Sequence, residues 1–187
     1  NYGDVNNVRP FDIDMLMTVS KLIGAEPSIH VRLQNGSPEA AADMVRYTID
    51  KGYDIEHWYV GNEPSLYADY SVERLNREWR AIALAMLEVD PDIVLIGPEP
   101  HQWTGLPGST LVDASGTEWV DGFLRENGDL VDIVAVHRYP FPRSDSDPTT
   151  TVADLRANTL EWTGLISRLR AVAENATGRT DYRYGVT

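Results

Sequence analysis

An amide and a carboxylate stand side by side where an apolar, aromatic-rich run ends, in the order Asn62, Glu63 and Pro64. The run covers residues 55–60 and has the composition of a buried strand. Because proline has no N–H to give to a strand ladder, Pro64 predicts that the strand stops there. We therefore expect Glu63 at the C-terminal tip of a strand, where it could act as a general acid. The alternative is a carboxylate at the start of a helix that faces solvent.

A histidine and a tyrosine follow a second apolar run, at residues 131–136. His137 and Tyr139 are two positions apart, so they share one side of a strand. At a strand tip they are candidates for residues that contact a substrate; the alternative is a buried histidine and a tyrosine bonded to the backbone. His30 and Arg32 likewise share one face of an earlier strand, where Arg32 either reaches the same mouth or forms a structural ion pair.

A third group of polar and aromatic residues follows the strand that ends at Gly97, and it contains Glu99, His101, Gln102 and Trp103. Sugars place their apolar C–H faces on aromatic rings and bond their hydroxyls to polar side chains. This composition suits a carbohydrate subsite, with Glu99 and Trp103 as the main contacts. The equal alternative is a surface loop in which Trp103 is a buried anchor.

Five predicted strands alternate strictly with helices along the chain. Such alternation predicts a parallel sheet with helices outside it. A full (β/α)8 barrel takes about 250 residues, or roughly 31 for each βα unit. The predicted fold class is therefore α/β, with about five units of a TIM barrel. The predicted strands lie near residues 28–33, 56–62, 92–97, 131–138 and 182–187.

Helix boundaries are indicated by caps and by apolar periodicity. Ser37 is a predicted N-cap, followed by a proline at the first helical position and an acid in the first turn. Ser71 is the predicted cap of a long helix. The other helices are predicted at 11–23 and 117–127, and the last helix is expected to carry one apolar stripe. Its predicted members are Val152, Leu155, Thr159, Trp162, Ile166 and Leu169.

The connections differ at the two ends of the predicted sheet. Helix-to-strand connections are short, whereas two strand-to-helix connections, residues 98–116 and 140–151, are long. Loops of that length in a compact domain are usually functional or disordered. The working face is therefore predicted at the C-terminal ends of the strands. Asp4, Asn6 and Asn7 belong to an opening loop without an assigned role.

The composition excludes several classes of function. The chain has 187 residues, enough for one domain, and a net charge of −13, which argues against nucleic acid and anionic membrane surfaces. It contains no cysteine and therefore no disulfide or thiolate metal site. No phosphate loop or GxSxG elbow is present, and the four histidines lack metal-binding spacing. We predict neither a metal nor a cofactor, and the oligomeric state is left open.

Two of these motifs resemble those of clan A glycoside hydrolases. Residues 59–64 look like the clan's fourth-strand Asn-Glu-Pro motif, and residues 137–139 look like its sixth-strand His-x-Tyr. The chain is similar to α-L-arabinofuranosidase, β-xylosidase and endoglucanase members from their second helix to their seventh strand. The resemblance implies a retaining glycosidase of plant-type or microbial polysaccharides and oligosaccharides. It also implies that Glu63 is the acid/base, that Asn62 bonds the sugar 2-hydroxyl and that Tyr139 orients the nucleophile.

The family's nucleophile is a second glutamate at the tip of the seventh strand. We expect it within a residue or two after Thr187, so residues 1–187 are predicted to be one catalytic barrel domain, incomplete at both ends and inactive alone. If Thr187 is the true end, Glu99 becomes the leading second carboxylate. Two other classes stay open: a non-catalytic carbohydrate-binding barrel and, with weaker support, a metal-dependent barrel hydrolase.

Overall fold

The chain was analysed as a computed structural model that describes residues 9–109, 111–140 and 151–187. Two parts of the sequence analysis lie outside these ranges. One is the opening loop with Asp4, Asn6 and Asn7, and the other is residues 141–150, which make up most of the second long loop. The predicted strands and helices all fall within the described ranges.

The five strands form one parallel sheet in which neighbours in sequence are neighbours in space. This confirms the predicted α/β fold, because a helical crossover separates each strand from the next and all C-terminal tips reach one edge. The arrangement is that of a continuous segment of a (β/α)8 barrel. The strands are β1 (Ser28–Val31), β2 (His57–Val60), β3 (Val94–Pro98), β4 (Ile133–Val136) and β5 (Arg183–Val186).

Within the described residues, six α-helices connect or flank these strands. The predicted caps are confirmed: the Ser37 hydroxyl accepts from the Ala40 N–H at 3.2 Å, and the Ser71 hydroxyl accepts from the Arg74 N–H at 3.1 Å. No helix in the described ranges is long and apolar enough to cross a membrane. The helices are α1 (Pro10–Ile23), α2 (Pro38–Asp50), α3 (Val72–Val89), α4 (Trp119–Asn127), α5 (Val152–Asn158) and α6 (Trp162–Thr177).

The start of α4 differs from the prediction of residue 117. The helix begins two residues later because the Glu118 carboxylate accepts from the Asp121 N–H and is the actual cap. The N–H of Thr117 is instead bonded to the Asp113 carboxylate at 3.0 Å, in the turn that precedes the helix. An acidic cap of this kind suits the positive end of the helix dipole.

The predicted single stripe on the last helix is wrong. The segment is two helices, because a 3₁₀ turn at Thr159–Glu161 separates α5 from α6. A 3₁₀ turn has three residues per turn rather than 3.6, so it rotates the side chains that follow out of phase with those before it. Helix α5 buries none of its residues, and the buried stripe of α6 is Leu165, Leu169 and Ala173.

Two helices pack on β3, the middle strand of the sheet. Trp79 of α3 and Phe123 of α4 meet edge to face, with ring centroids 4.9 Å apart and planes at 88°. Gly97 of β3 makes room for them, since a Cβ there would lie 3.2 Å from the Trp79 Nε1. The helix pair therefore packs directly on β3 and fixes the tip that carries Glu99.

Candidate active site

Glu63 and Glu99 occupy the C-terminal tips of adjacent strands. The N–H of Glu63 donates to the carbonyl of Glu99 at 3.1 Å, and the N–H of Glu99 donates to the carbonyl of Ala135 at 3.0 Å. Both glutamates have left-handed backbone conformations, with φ of 49° and 53°. Such conformations are sparsely populated outside glycine and cluster at functional sites. The two tips therefore turn in the same way and are bonded to each other.

Gly61 allows the end of β2 to pack closely against Leu33, just before Glu63. Its φ is +85°, and a Cβ at this position would lie 2.8 Å from both Cβ and Cδ2 of Leu33. The Gly61 N–H donates to the carbonyl of Val31 at 2.9 Å, which continues the ladder with β1. Gly61 therefore packs closely against Leu33, where a larger residue would collide.

His137 lies between the two carboxylates. Its Nδ1 is 2.9 Å from Oε1 of Glu63, and its Nε2 is 3.4 Å from Oε1 of Glu99. Burial lowers the pKa of this imidazole, but the Glu99 and Glu63 carboxylates outweigh burial and raise the pKa above its ordinary value. The charged imidazolium is thus favoured, with an N–H directed at each acid. His137 joins Glu63, as predicted, at the strand tips.

Glu99 is buried rather than open to a sugar. The residue is only 2 % exposed, and its Oε2 lies 3.0 Å from Nε2 of His30. Its Oε1 accepts from the Thr187 hydroxyl at 3.0 Å and faces His137. Burial raises the pKa of Glu99, but the contacts with His137 and His30 prevail and lower it overall. Both oxygens contact protein groups, so this geometry does not support the predicted sugar contact.

His30 has a role that the sequence did not reveal. Its ring stacks on that of Tyr59, with centroids 4.2 Å apart and planes 11° from parallel. This packing orients Nε2 toward Glu99. The predicted shared face with Arg32 was the available signal, but Arg32 itself donates from Nε to the carbonyl of Gln34 at 3.0 Å. His30 is bonded to Glu99 through Nε2.

Tyr139 contacts the candidate acid directly. Its hydroxyl lies 3.3 Å from Oε1 of Glu63, and its ring meets that of His137 edge to face. Arg138 lies between them in sequence and points elsewhere, with its guanidinium paired to Glu161 at 2.7 Å. The alternation predicted for His137 and Tyr139 is therefore present. The family resemblance assigns the tyrosine to the nucleophile, whereas here its hydroxyl donates to Glu63.

Asn62 has a side chain that is available to a ligand. Its backbone N–H donates to the Tyr67 hydroxyl at 3.1 Å, which holds the residue in place. Its side-chain amide makes no hydrogen bond with any residue that the structure describes. The residue is half-buried and precedes Glu63 in sequence. An amide with unused donor and acceptor capacity next to the acid is suited to bind a hydroxyl group.

Trp103 is a buried anchor in this structure, which is the alternative that the sequence left open beside the stacking contact. The residue is 1 % exposed, and its Nε1 donates to Oε1 of Glu118 at 2.9 Å. The backbone N–H of Trp103 donates to the carbonyl of His137 at 3.0 Å, which links the long loop to the tip of β4. The neighbouring Gln102 supports the same link, because its Oε1 accepts from the Tyr139 N–H at 3.2 Å. Trp103 and Gln102 therefore hold the segment that carries His137 and Tyr139 in place.

One group of described side chains has the spacing of a metal site. Glu26, Glu56 and His57 have ligand atoms within 4.8 Å of one another. They lie where β1 and β2 begin, which is the end of the sheet opposite to Glu63. The two glutamates are exposed, and no contact links the group to the candidate site among the described residues. We assign it no part in the chemistry.

Comparison with solved structures finds the same fold in glycoside hydrolases. A family 51 α-L-arabinofuranosidase from Bifidobacterium longum matches at 20 % identity with a TM-score of 0.69, over 93 % of this chain and 39 % of its own. The GH51 arabinofuranosidase from Xanthomonas axonopodis pv. citri matches at 17 % identity and 0.69, over 94 % and 38 %. A family 44 endoglucanase from Clostridium thermocellum matches at 17 % and 0.52, over 78 % and 39 %.

These similarities concern the fold. No protein-family model matches the sequence, and no curated protein matches it. The chain has the fold of one segment of a clan A glycoside hydrolase barrel, which confirms the resemblance and the partial TIM barrel. It spans 39 % of the length of the Bifidobacterium enzyme.

Proposed function

We propose that this chain forms the acid/base part of a retaining glycoside hydrolase. The observation that carries the proposal is the setting of Glu63 at a strand tip. Its Oε1 lies 2.9 Å from the His137 Nδ1 and 3.3 Å from the Tyr139 hydroxyl, and the unused amide of Asn62 is adjacent. Oriented donors hold the carboxyl group in one position, which proton transfer to a bound substrate requires.

In this proposal Glu63 protonates the glycosidic oxygen as the bond to the leaving group breaks. A second carboxylate, about 5–5.5 Å away, attacks the anomeric carbon and forms a glycosyl-enzyme intermediate. Glu63, now ionised, takes a proton from the water that hydrolyses this intermediate. Asn62 bonds a hydroxyl of the sugar at the cleavage point, and such bonds strengthen in the transition state.

Glu99 is a poor candidate for the second carboxylate. It is 2 % exposed and its oxygens face His30, His137 and Thr187, so it has no open path to an anomeric carbon. We therefore propose that the nucleophile follows Thr187, just past the end of β5. Thr187 is bonded into the mouth, since its N–H donates to the carbonyl of Val136 at 3.2 Å. A residue that follows it would start from the same edge as Glu63.

The substrate class in this proposal is a polysaccharide or oligosaccharide of plant or microbial type. It is supported by the arabinofuranosidases and the endoglucanase that share the fold. The free amide beside Glu63 agrees with a ligand rich in hydroxyl groups. The chain's net charge of −13 agrees with a neutral rather than a polyanionic substrate.

The experiment compares Glu63→Gln with the unchanged enzyme, in the full polypeptide that contains this chain, on two aryl glycosides. A glycoside with a poor leaving group needs protonation, so its kcat/KM should fall by about 10²- to 10⁴-fold. A glycoside with a good leaving group should lose much less in the glycosylation step. Glu56→Gln, an exposed acid just before the opposite end of the same strand, should leave both rates unchanged.

Equal and small losses on both substrates would overturn the acid/base assignment. An unchanged enzyme that binds oligosaccharides but hydrolyses none would instead identify a non-catalytic carbohydrate-binding barrel. Activity that disappears with a chelator and returns with a divalent ion would identify the metal-dependent class.

A further inference from the structure

We propose that Glu99 is a positioning residue that acts through His137 to hold the Glu63 carboxyl group in place. The inference rests on the proposed acid/base role of Glu63 and gives Glu99 a part that the sugar-contact interpretation does not contain. Glu99 touches no open space from which a substrate could approach, since its side chain is 3 % exposed. Its carboxylate is linked to that of Glu63 through the imidazole of His137.

A buried carboxylate requires compensation, because removal of a charge from water is costly unless the charge is paired and hydrogen-bonded. Glu99 is compensated from three strands. His30 approaches Oε2 from β1 at 3.0 Å, the Thr187 hydroxyl donates to Oε1 from the end of β5 at 3.0 Å, and His137 faces Oε1 from the end of β4. A residue that only filled space at this position would not need three polar partners.

The partners determine where hydrogens lie on the two rings. An ionised carboxylate only accepts hydrogen bonds, so the Nε2 atoms of both His30 and His137 must carry hydrogen where they face Glu99. Nδ1 of His137 then either donates to an ionised Glu63 or accepts from a protonated one. The charge of Glu99 stabilises positive charge on the imidazole of His137. Glu99 thereby biases the position of the proton shared by His137 and Glu63.

Among the described residues, the charged or titratable groups that contact this imidazole come from three strand ends. Glu63 approaches from the end of β2, Glu99 from the end of β3, and the Tyr139 ring lies edge to face on the same segment. Arg138 is turned away toward Glu161. Removal of one of the two negative charges should therefore lower the pKa of His137, and the remaining acid should compensate only in part.

The test is a titration of the His137 imidazole by NMR in Glu99→Gln and in the unchanged protein. Glutamine keeps the shape of the side chain and removes the charge. The pKa of His137 should fall by about 1 unit or more. In the full polypeptide the alkaline limb of kcat/KM should move to lower pH, and kcat should fall more than KM changes. Glu118→Gln is the control. This half-buried acid bonds the Trp103 side chain and the Asp121 N–H rather than His137, so its loss should leave the His137 titration unchanged.

An identical His137 titration in the folded Glu99→Gln variant would overturn the inference. If that variant does not fold, Glu63→Gln decides: with Glu99 still in place, the pKa of His137 should stay above its ordinary value. A return of the His137 pKa to its ordinary value or below it would show that Glu99 does not raise that pKa. The NMR arm does not need activity, so an enzyme without glycosidase activity refutes the proposed function and leaves this inference to the titration.

Discussion

Nδ1 of His137 lies 2.9 Å from Oε1 of Glu63, although the two residues end strands that are not neighbours. Strand β3 runs between β2 and β4, so the imidazole reaches over the tip of β3, where Glu99 contacts its other nitrogen. The contact needs three strands in one order and one register. A slip of a single residue in any of them would turn its side chain to the other face of the sheet.

Asn62→Ala should lower kcat and not merely raise KM. The variant removes an amide that makes no bond with the described protein, so folding stability should change little. If the amide binds a hydroxyl more tightly in the transition state, kcat should fall by about 10- to 100-fold. Steady-state kinetics on one glycoside measure this. A rise in KM at constant kcat would indicate uniform binding instead.

Gly61→Ala should destabilise the fold for two separable reasons. An alanine pays for the left-handed backbone, by about 1–2 kcal/mol, and its Cβ would lie 2.8 Å from two atoms of Leu33. Gly52 provides the matched control, since its φ is +66° and nothing lies within 4 Å of a Cβ there. Urea unfolding should show a larger loss for Gly61→Ala, by about 1–3 kcal/mol for the overpacking. Equal losses would mean that Leu33 moves aside freely.

Trp103→Phe should reduce stability and leave KM unchanged. The phenyl ring fills most of the buried site but cannot donate to Oε1 of Glu118, which the indole does at 2.9 Å. A carboxylate that loses its donor should cost about 1–3 kcal/mol. Urea unfolding and Michaelis–Menten kinetics on the same preparation separate the two effects. A higher KM at unchanged stability would restore the stacking interpretation of this tryptophan.

Stability should depend on pH through Glu99 and His137, with opposite signs. Burial raises the pKa of Glu99, but its histidine partners lower it below the ordinary value of 4.5. Its contribution is therefore complete above about pH 4.5 and is lost as the pH falls through the folded pKa. The pKa of His137 is raised above 6.5, because its two carboxylate partners outweigh burial. Its contribution is complete below about pH 6.5 and is lost as the pH rises through the folded value.

The pair should therefore stabilise the protein most between about pH 4.5 and 6.5. Urea unfolding across the pH range measures this, and Glu99→Gln should flatten both limbs of the profile. A variant whose profile keeps the same two limbs would assign the pH dependence to other groups.

Much of the fold could be predicted from local signals. Pro64 marks the end of β2, and Ser37 and Ser71 cap their helices, so the strand tips lie where the sequence predicts them. Strict alternation then brings those tips to one edge. The meeting of Glu63, His137 and Tyr139 follows from that edge, because each is one or a few residues beyond its strand.

The rest depends on three-dimensional packing that local patterns do not record. Glu99 and Glu63 follow similar strands, yet only Glu99 is covered by His30 and Thr187, which come from strands far away in sequence. Trp103 is buried because Glu118, at the start of the next helix, accepts its N–H. The phase of α6 was missed because a three-residue 3₁₀ turn resets it.

The backbone bonds between strand tips have a consequence for substrate binding. The N–H of Glu63 donates to the carbonyl of Glu99, and the N–H of Glu99 donates to the carbonyl of Ala135 within β4. The sheet's hydrogen-bond ladder therefore extends beyond the regular strands into the mouth. Glu63 is thus held by the hydrogen-bond ladder of the sheet. If Glu63 is the proton donor, as proposed, an entering sugar would find it already in place, so little conformational entropy would be lost on binding.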